Sequence, residues 1–289
     1  HKAVSVDGQM GMEYPQMAFN PGRPDLADGG YSDRMKYRMI KVTIHEVGHN
    51  FFPMIINSDE RQWTWMDEGL NSYLEMLAEL DYDKDFPMRR GLPKNIVDYM
   101  NGDQSQIAPI MSKGDNLYSF GNNAYGKPAT ALWILRETIM GKELFDHAFK
   151  TYAQRWMFKH PTPADFFRTM EDASGIDLDW FWRGWFYTTD VTDIGIKNVK
   201  KFYAEEGDQE NVKFIEDLSD GLLFSYSNAK KASSKFFYEV TFDKPGGLVM
   251  PIIVEFTYKD GTKDRKTYPA QIWRYNDAQI TKVINSDKE

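Results

Sequence analysis

Apolar positions recur along the chain with two different periods, and the change from one to the other falls near residue 190. Before it, spacings of three and four predict helices. Ser32 or Asp33 is the N-cap of a stretch, MKYRMIKVTIHEVGHNFF, that reads as one helix ending at Pro53. A second helix begins near Asp67 and sets Leu70, Tyr73, Leu74 and Leu77 on one face. PATALWILRETIMG predicts a helix with Pro128 in its first turn and Gly141 as its stop, and KELFDHAFKTYAQRWMF predicts the next. Thr162-Pro163-Ala164-Asp165 opens another, with a Thr cap, an early proline and an acid in the first turn. DLDWFWRGWFY closes this half as a short aromatic helix, while residues 81–124 predict loops and short helices. AVSV (Ala3–Val6) is strand-like and ends at the turn pair Asp7-Gly8. After residue 190 alternating, β-branched stretches take over. KFFYEVTF, LVMPIIVEFTY and KTYPAQIWRY predict strands, with Asp260-Gly261 as a hairpin turn. The organisation is α+β: a mostly helical domain over 1–190, then a small all-β, sandwich-like domain over 191–289.

Composition narrows the chemistry. The 289 residues are 42% hydrophobic and 27% charged, as in a soluble globular protein, and no apolar run is long enough to cross a bilayer. A net charge of −8 argues against nucleic acid as a partner. Without cysteine there is no disulfide framework and no thiolate nucleophile, so any metal must be held by histidine and carboxylate. The chain opens at His1, which is compatible with a removed secretion signal. The compartment stays open, with a periplasmic or secreted setting preferred to a cytoplasmic one.

Residues 45–49 read HEVGH. In a helix His45 and His49 lie one turn apart on one face and can reach a single ion, while Glu46 is offset toward a water on that ion. The plainer reading is a pair of core or surface histidines. It must explain the apolar surroundings Val42, Ile44, Val47, Phe51 and Phe52, which would bury ionisable groups without partners. It must also explain Glu68, in the first turn of the next helix and within WTWMDEGLN. A catalytic zinc takes three protein ligands and one open position, and His45, His49 and Glu68 supply two imidazoles and a carboxylate.

HExxH, eighteen intervening residues and then Glu within W-x-x-E-G-[LF]-N closely resembles the gluzincin aminopeptidases of the aminopeptidase N type. GMEYP at residues 11–15 is similar to that family's G-x-M-E-N motif, with Met12 and Glu13 aligned. AYGKPATALWILR is similar to its Y-x-K-G-x-x-x-L-x-x-L segment and aligns Tyr125 with the catalytic tyrosine. The resemblance covers about residues 3–190 and implies a thermolysin-like zinc metallopeptidase catalytic domain. It implies one Zn2+ per chain held by His45, His49 and Glu68, with Glu46 as general base and Tyr125 as donor to the oxyanion. Glu13, with Met12 beside it, would bind the free α-amino group of a peptide. The implied reaction is removal of N-terminal residues from peptides. A thermolysin-type endopeptidase, with Glu13 idle, and a non-catalytic scaffold that keeps the fold are the alternatives.

The sequence departs from the family at Tyr14, where an Asn is usual, at Met10 and Pro128, where glycines are usual, and at Phe51-Phe52 after HExxH. In the family a β-rich N-terminal domain precedes G-x-M-E-N, so a missing N-terminal domain of the same polypeptide is an expected partner. His1, His147 and His160 lack ligand spacing. Asn71 and Glu75 follow Glu68 at helical spacing and could orient a ligand histidine, although for Glu75 a solvated face fits equally. Trp63 and Trp65 could wall the cleft, and the aromatic run Trp180–Tyr187 reads as core.

Overall fold

In the computed structural model, which describes residues 3–205, 208–217 and 236–289, Ser32 caps the first long helix. Its hydroxyl accepts from the Met35 N–H at 3.2 Å, and α1 (Asp33–Gly48) follows with Asp33 in its first turn. The helix is shorter than its pattern predicts. Regular winding ends at Gly48, and a wider turn over Asn50–Ile55 contains Phe52 in an extended conformation (φ −126°, ψ 108°). Pro53 is the cause, because its ring bars the preceding residue from the α region.

A wider turn over Trp65–Gly69 leads into α2 (Leu70–Tyr82). Leu70 and Tyr73 are buried as the pattern predicts, while Leu74 and Leu77 are only half-buried. The buried face of α2 also carries Asn71, Glu75 and Glu79, which a purely apolar stripe would exclude. Short turns and α3 (Val97–Met100) occupy the following segment. After α4 (Lys127–Ile134), a wider turn over Leu135–Met140 ends at Gly141, whose φ of +82° suits glycine. α5 (Lys142–Trp156) and α6 (Pro163–Ser174) follow, the latter held by a capping box in which the Thr162 N–H donates to Asp165 at 2.9 Å. α7 (Asp179–Trp182) completes the helices of this half.

Contacts divide the chain into two units, His1–Thr189 and Asp190–Glu289. Among the described residues the first unit holds a small sheet of β1 (Val4–Asp7), β2 (Met12–Tyr14) and β3 (Met17–Asn20), in the order β1-β3-β2. The pair β1/β3 is parallel and β2/β3 antiparallel, so the GMEYP segment forms an edge strand. The core of this unit is aromatic. Trp65 is 0% exposed, stacks on Phe167 at 5.8 Å and meets Phe166 and Phe186 edge-on. Trp65 therefore does not wall a cleft; it anchors the segment that carries Glu68 to α6. Trp182 also stacks on Phe167, at 4.6 Å.

In the second unit β4 (Gly195–Glu205), β5 (Asp208–Asp217), β6 (Phe236–Asp243) and β9 (Gln279–Ser286) form an antiparallel sheet in the order β5-β4-β6-β9. β7 (Ile252–Thr257) and β8 (Lys263–Tyr268) form a hairpin, with Gly261 at φ +80° in its turn. Val240, Phe242 and Ile284 of the larger sheet bury together with Ile252 of the hairpin and with Trp273. Two predicted strands are corrected. Within LVMPIIVEFTY the strand begins only at Ile252, after Pro251. Within KTYPAQIWRY it stops at Tyr268, and Ala270–Arg274 forms a 3-10 turn, because Pro269 has no N–H to continue a ladder. Lys235 of KFFYEVTF lies outside the described residues, as does His1. No helix among the described residues is long and apolar enough to cross a membrane.

Gly48 shows how tightly α1 and α2 pack. A Cβ there would lie 2.2 Å from Asn71 Oδ1, and the Asn71 amide donates to the His45 carbonyl at 2.7 Å. Gly→Ala in an exposed helix gains about 1 kcal/mol, but the overlap decides the sign here. Gly48→Ala is expected to destabilise the chain by about 1–3 kcal/mol in urea unfolding. In an Asn71→Ala background that cost should shrink, giving a clear coupling term in the double-mutant cycle.

Candidate metal centre

The helical period of α1 brings His45 and His49 together, with ring centroids 4.6 Å apart and Nε2 atoms separated by 3.1 Å. Trp65, locked in the aromatic core, fixes the turn that carries Glu68. Glu68 Oε2 lies 3.0 Å from His45 Nε2 and 3.3 Å from His49 Nε2. Zinc bonds of about 2.0–2.1 Å in tetrahedral geometry put donors roughly 3.3 Å apart. The three donors form a triangle of that size.

The outer nitrogens are also engaged. His45 Nδ1 donates to Glu75 Oε2 at 2.7 Å. His49 Nδ1 donates to the Phe52 carbonyl at 2.8 Å, and Asp67 Oδ1 lies 2.8 Å from the same nitrogen, contributing charge. A proton fixed on Nδ1 leaves Nε2 with its lone pair toward the centre, as metal-ligating histidines require. Phe52 reaches this position because Pro53 unwinds the helix there.

Behind Glu75 stands Lys41, one turn before His45 on α1, with Nζ 2.5 Å from Glu75 Oε1 and 3.7 Å from Glu79. Glu75 is 3% exposed, which settles its sequence ambiguity against a solvated face. Burial works to raise the Glu75 carboxyl, but His45 and Lys41 hold it below the usual carboxylate range.

The cluster favours positive charge. Burial disfavours the imidazolium at both histidines, yet the carboxylates of Glu68 and Glu75 lift His45 to about 9. Those of Asp67 and Glu68 lift His49 to about 11. A divalent ion would satisfy the same crowded oxygens and nitrogens by displacing the protons.

Glu46 is buried against Gly11, where a Cβ would come within 2.2 Å of its Oε1. Among the described residues its Oε2 has no hydrogen-bond partner. Burial pushes this carboxyl up to about 7, which suits a group that takes and returns a proton near neutrality. Tyr125 donates to Glu68 Oε1 at 2.5 Å, and the Arg90 guanidinium sits 4.3 Å above its ring. Burial and the negative charge of Glu68 raise the Tyr125 phenol far above its ordinary value, so it acts as a donor.

Glu13 is half-buried on β2, and its carboxylate groups with His49 and Asp67, their ligand atoms all within 4.8 Å of one another. A cleft of about 340 Å³ is lined by Glu13, Glu60, Asp67, Glu68 and Asp115 against one cation, Arg61, and by Phe120. Met12 is not brought in through its side chain. It alternates with Glu13 along the strand, faces the other way and is 43% exposed. Sequence reasoning missed Lys41, Glu60, Asp67 and Arg90. For Lys41 a signal existed: Lys41, His45 and His49 lie four apart along α1 and its C-cap, opposite Asn71, Glu75 and Glu79, also four apart on α2.

Residues 3–185 match the peptidase family M1 domain. The chain belongs to that family. This M1 chain is similar to the glutamyl aminopeptidase of Sus scrofa, at 24% identity over 179 residues, 58% of this chain and 19% of that protein. It is also similar to the probable aminopeptidase 2 of Sulfurisphaera tokodaii, at 23% identity over 226 residues, 72% of this chain and 29% of that one. Among solved structures it resembles Legionella pneumophila aminopeptidase A, crystallised in complex with aspartic acid. The TM-score is 0.56, with 14% identity, covering 96% of this chain and 27% of that one. The likeness supports the mixed helix and sheet fold. The M1 chain spans only 15–19% of the length of the glutamyl aminopeptidases it matches.

The buried Glu75 gives a test of the centre. Glu75→Gln keeps the shape but removes the charge facing His45 and Lys41. It should weaken zinc binding by about 10–100-fold in a chelator competition while leaving the helical circular dichroism in place. An unchanged affinity would mean that Glu75 does not orient the histidine.

Proposed function

We propose that this chain carries the catalytic part of a zinc-dependent aminopeptidase, which removes N-terminal residues from peptides. The observation that carries the reading is the placement of a strand-edge carboxylate, Glu13, beside the convergent donors His45, His49 and Glu68. An internal peptide bond offers such a carboxylate nothing, whereas the free ammonium of a chain end offers it an ion pair.

In this reading His45, His49 and Glu68 hold one zinc ion. When bound, zinc supplies a Lewis acid for the scissile carbonyl and brings water within reach of ionisation near neutral pH. Glu46 Oε2 takes the proton of the attacking water and delivers it to the leaving amine, a task that its unpartnered oxygen and raised pKa suit. Tyr125 turns its hydroxyl from Glu68 Oε1 to the oxygen that becomes negative, where one such donor contributes on the order of 3 kcal/mol. Glu13 holds the substrate's ammonium in the acidic cleft and so sets how far the chain end enters. Lys41 and Glu75 keep the His45 ring in place.

The reading is tested with zinc-loaded chain and two peptides that differ only in a free or acetylated amino terminus. The free peptide should be cleaved and the acetylated one spared. Glu46→Gln should bind zinc as before and lose about 10²–10⁴ in kcat. Glu13→Ala should lose most of the discrimination through KM. Equal cleavage of both peptides would instead favour an endopeptidase, and loss of zinc in Glu46→Gln would remove the base assignment.

A further inference from the structure

A second depression borders the site, and its charge is opposite to that of the acidic cleft. It is a groove of about 560 Å³ between the N-terminal half of α1 and the loop of residues 86–90. Arg34, Arg38, Arg89 and Arg90 line it against one carboxylate, Asp33. A further lining cation, Lys41, is committed to Glu75. Among the described residues Arg34, Arg38 and Arg89 form no ion pair within 4.0 Å. Arg34 and Arg38 lie four apart on one helix face, an arrangement in which like charges destabilise the helix. In a chain of net charge −8, this concentration of guanidinium groups, of which Arg34 also faces the charge of Asp25, runs against the overall balance.

The groove reaches the reacting groups. Arg90 sits over the Tyr125 ring at 4.3 Å. Val42, another lining residue, and Glu46 Oε1 both flank Gly11, at 3.0 and 2.2 Å from where its Cβ would stand. Phe120, which lines the acidic cleft, lies 6.0 Å from Tyr125. The two depressions share no lining residue, but one lining residue of each, Arg90 and Phe120, packs against the Tyr125 ring. A peptide bound by its ammonium in the acidic cleft has its downstream residues left to place. The groove, one residue removed from Tyr125 through Arg90, carries four guanidinium groups able to receive negative charge.

We infer that this groove receives the part of the substrate beyond the scissile bond and selects peptides that carry a carboxylate there. The carboxylate comes from an aspartate or glutamate side chain or from a free C-terminus. The inference rests on the aminopeptidase reading for the direction of the bound peptide. Guanidinium forks suit carboxylates by geometry as well as by charge.

The test is calorimetric titration of the zinc-loaded Glu46→Gln chain with short peptides that all have a free amino terminus. Ala-Ala-Asp-Ala amide, Ala-Ala-Asn-Ala amide and Ala-Ala-Lys-Ala amide vary the side chain, and Ala-Ala-Asn-Ala with a free carboxylate varies the terminus. Each added carboxylate should tighten binding about three- to fivefold over the neutral amide, less so as salt is raised. The lysine peptide should bind more weakly. Adding Arg38→Glu and Arg89→Glu should invert the order, so that the lysine peptide gains affinity, an outcome that misfolding cannot produce. Equal affinities across the set, or an acidic preference that survives charge reversal, would overturn the inference. Hydrolysis by the unsubstituted chain separates this from the parent reading. Cleavage of free but not acetylated peptides with no charge preference would sink the groove alone. Charge-ordered binding without any cleavage would keep the carboxylate preference of the groove but sink the aminopeptidase and, with it, the assignment to residues beyond the scissile bond.

Discussion

Three electron-rich atoms, two imidazole nitrogens and a carboxylate oxygen, are held 3.0–3.3 Å apart at the junction of α1 and the turn before α2. Such a triangle is unfavourable unless positive charge sits within it, so the surrounding fold must hold it open. Trp65 does this from one side, by fixing the Glu68 turn to the aromatic core of α6. Glu75 and the Phe52 carbonyl do it from the other, by fixing the rings of His45 and His49. Lys41 then offsets the charge of Glu75 in the buried space between the helices. Removing one member of such a set leaves a charge without a partner, which costs more than the lost contact itself.

The site is also polarised along its length. Glu13, Glu60, Asp67 and Glu68 face one depression, and the arginines of α1 and the 86–90 loop face the other. A peptide with a free amino end and acidic downstream residues has the matching distribution. Tyr125 stands between, tied to Glu68 by its hydroxyl and to Arg90 through its ring. The residue proposed to stabilise the developing charge thus touches both the metal set and the groove.

Much of this was legible in the sequence. The helix period alone places His45 over His49, and an acid in a first turn is a common enough device to put Glu68 within reach. The Thr162 cap and the Gly141 stop were readable because caps use few residue types. What escaped detection did so for physical reasons. The wider turn at Trp65–Gly69 has no sequence signature distinct from a helix, and at Asn50–Ile55 Pro53 marks the helix end but not that regular winding already stops at Gly48. Glu75 looks the same in sequence whether it meets solvent or a buried lysine. The strand expected through KTYPAQIWRY failed at Pro269, a signal that was present and was outweighed by the β-branched and aromatic pattern. Edge strands as short as β2 give too few residues for alternation to separate the inward Glu13 from the outward Met12.

The central claim is that His45, His49 and Glu68 converge on one divalent ion. Zinc-edge X-ray absorption on the chain loaded with one equivalent measures this most directly. The account predicts two imidazole nitrogens and light oxygen donors at about 2.0–2.2 Å, with the imidazole scattering halved in His49→Ala. A spectrum without two imidazoles, or one unchanged by that substitution, would contradict it.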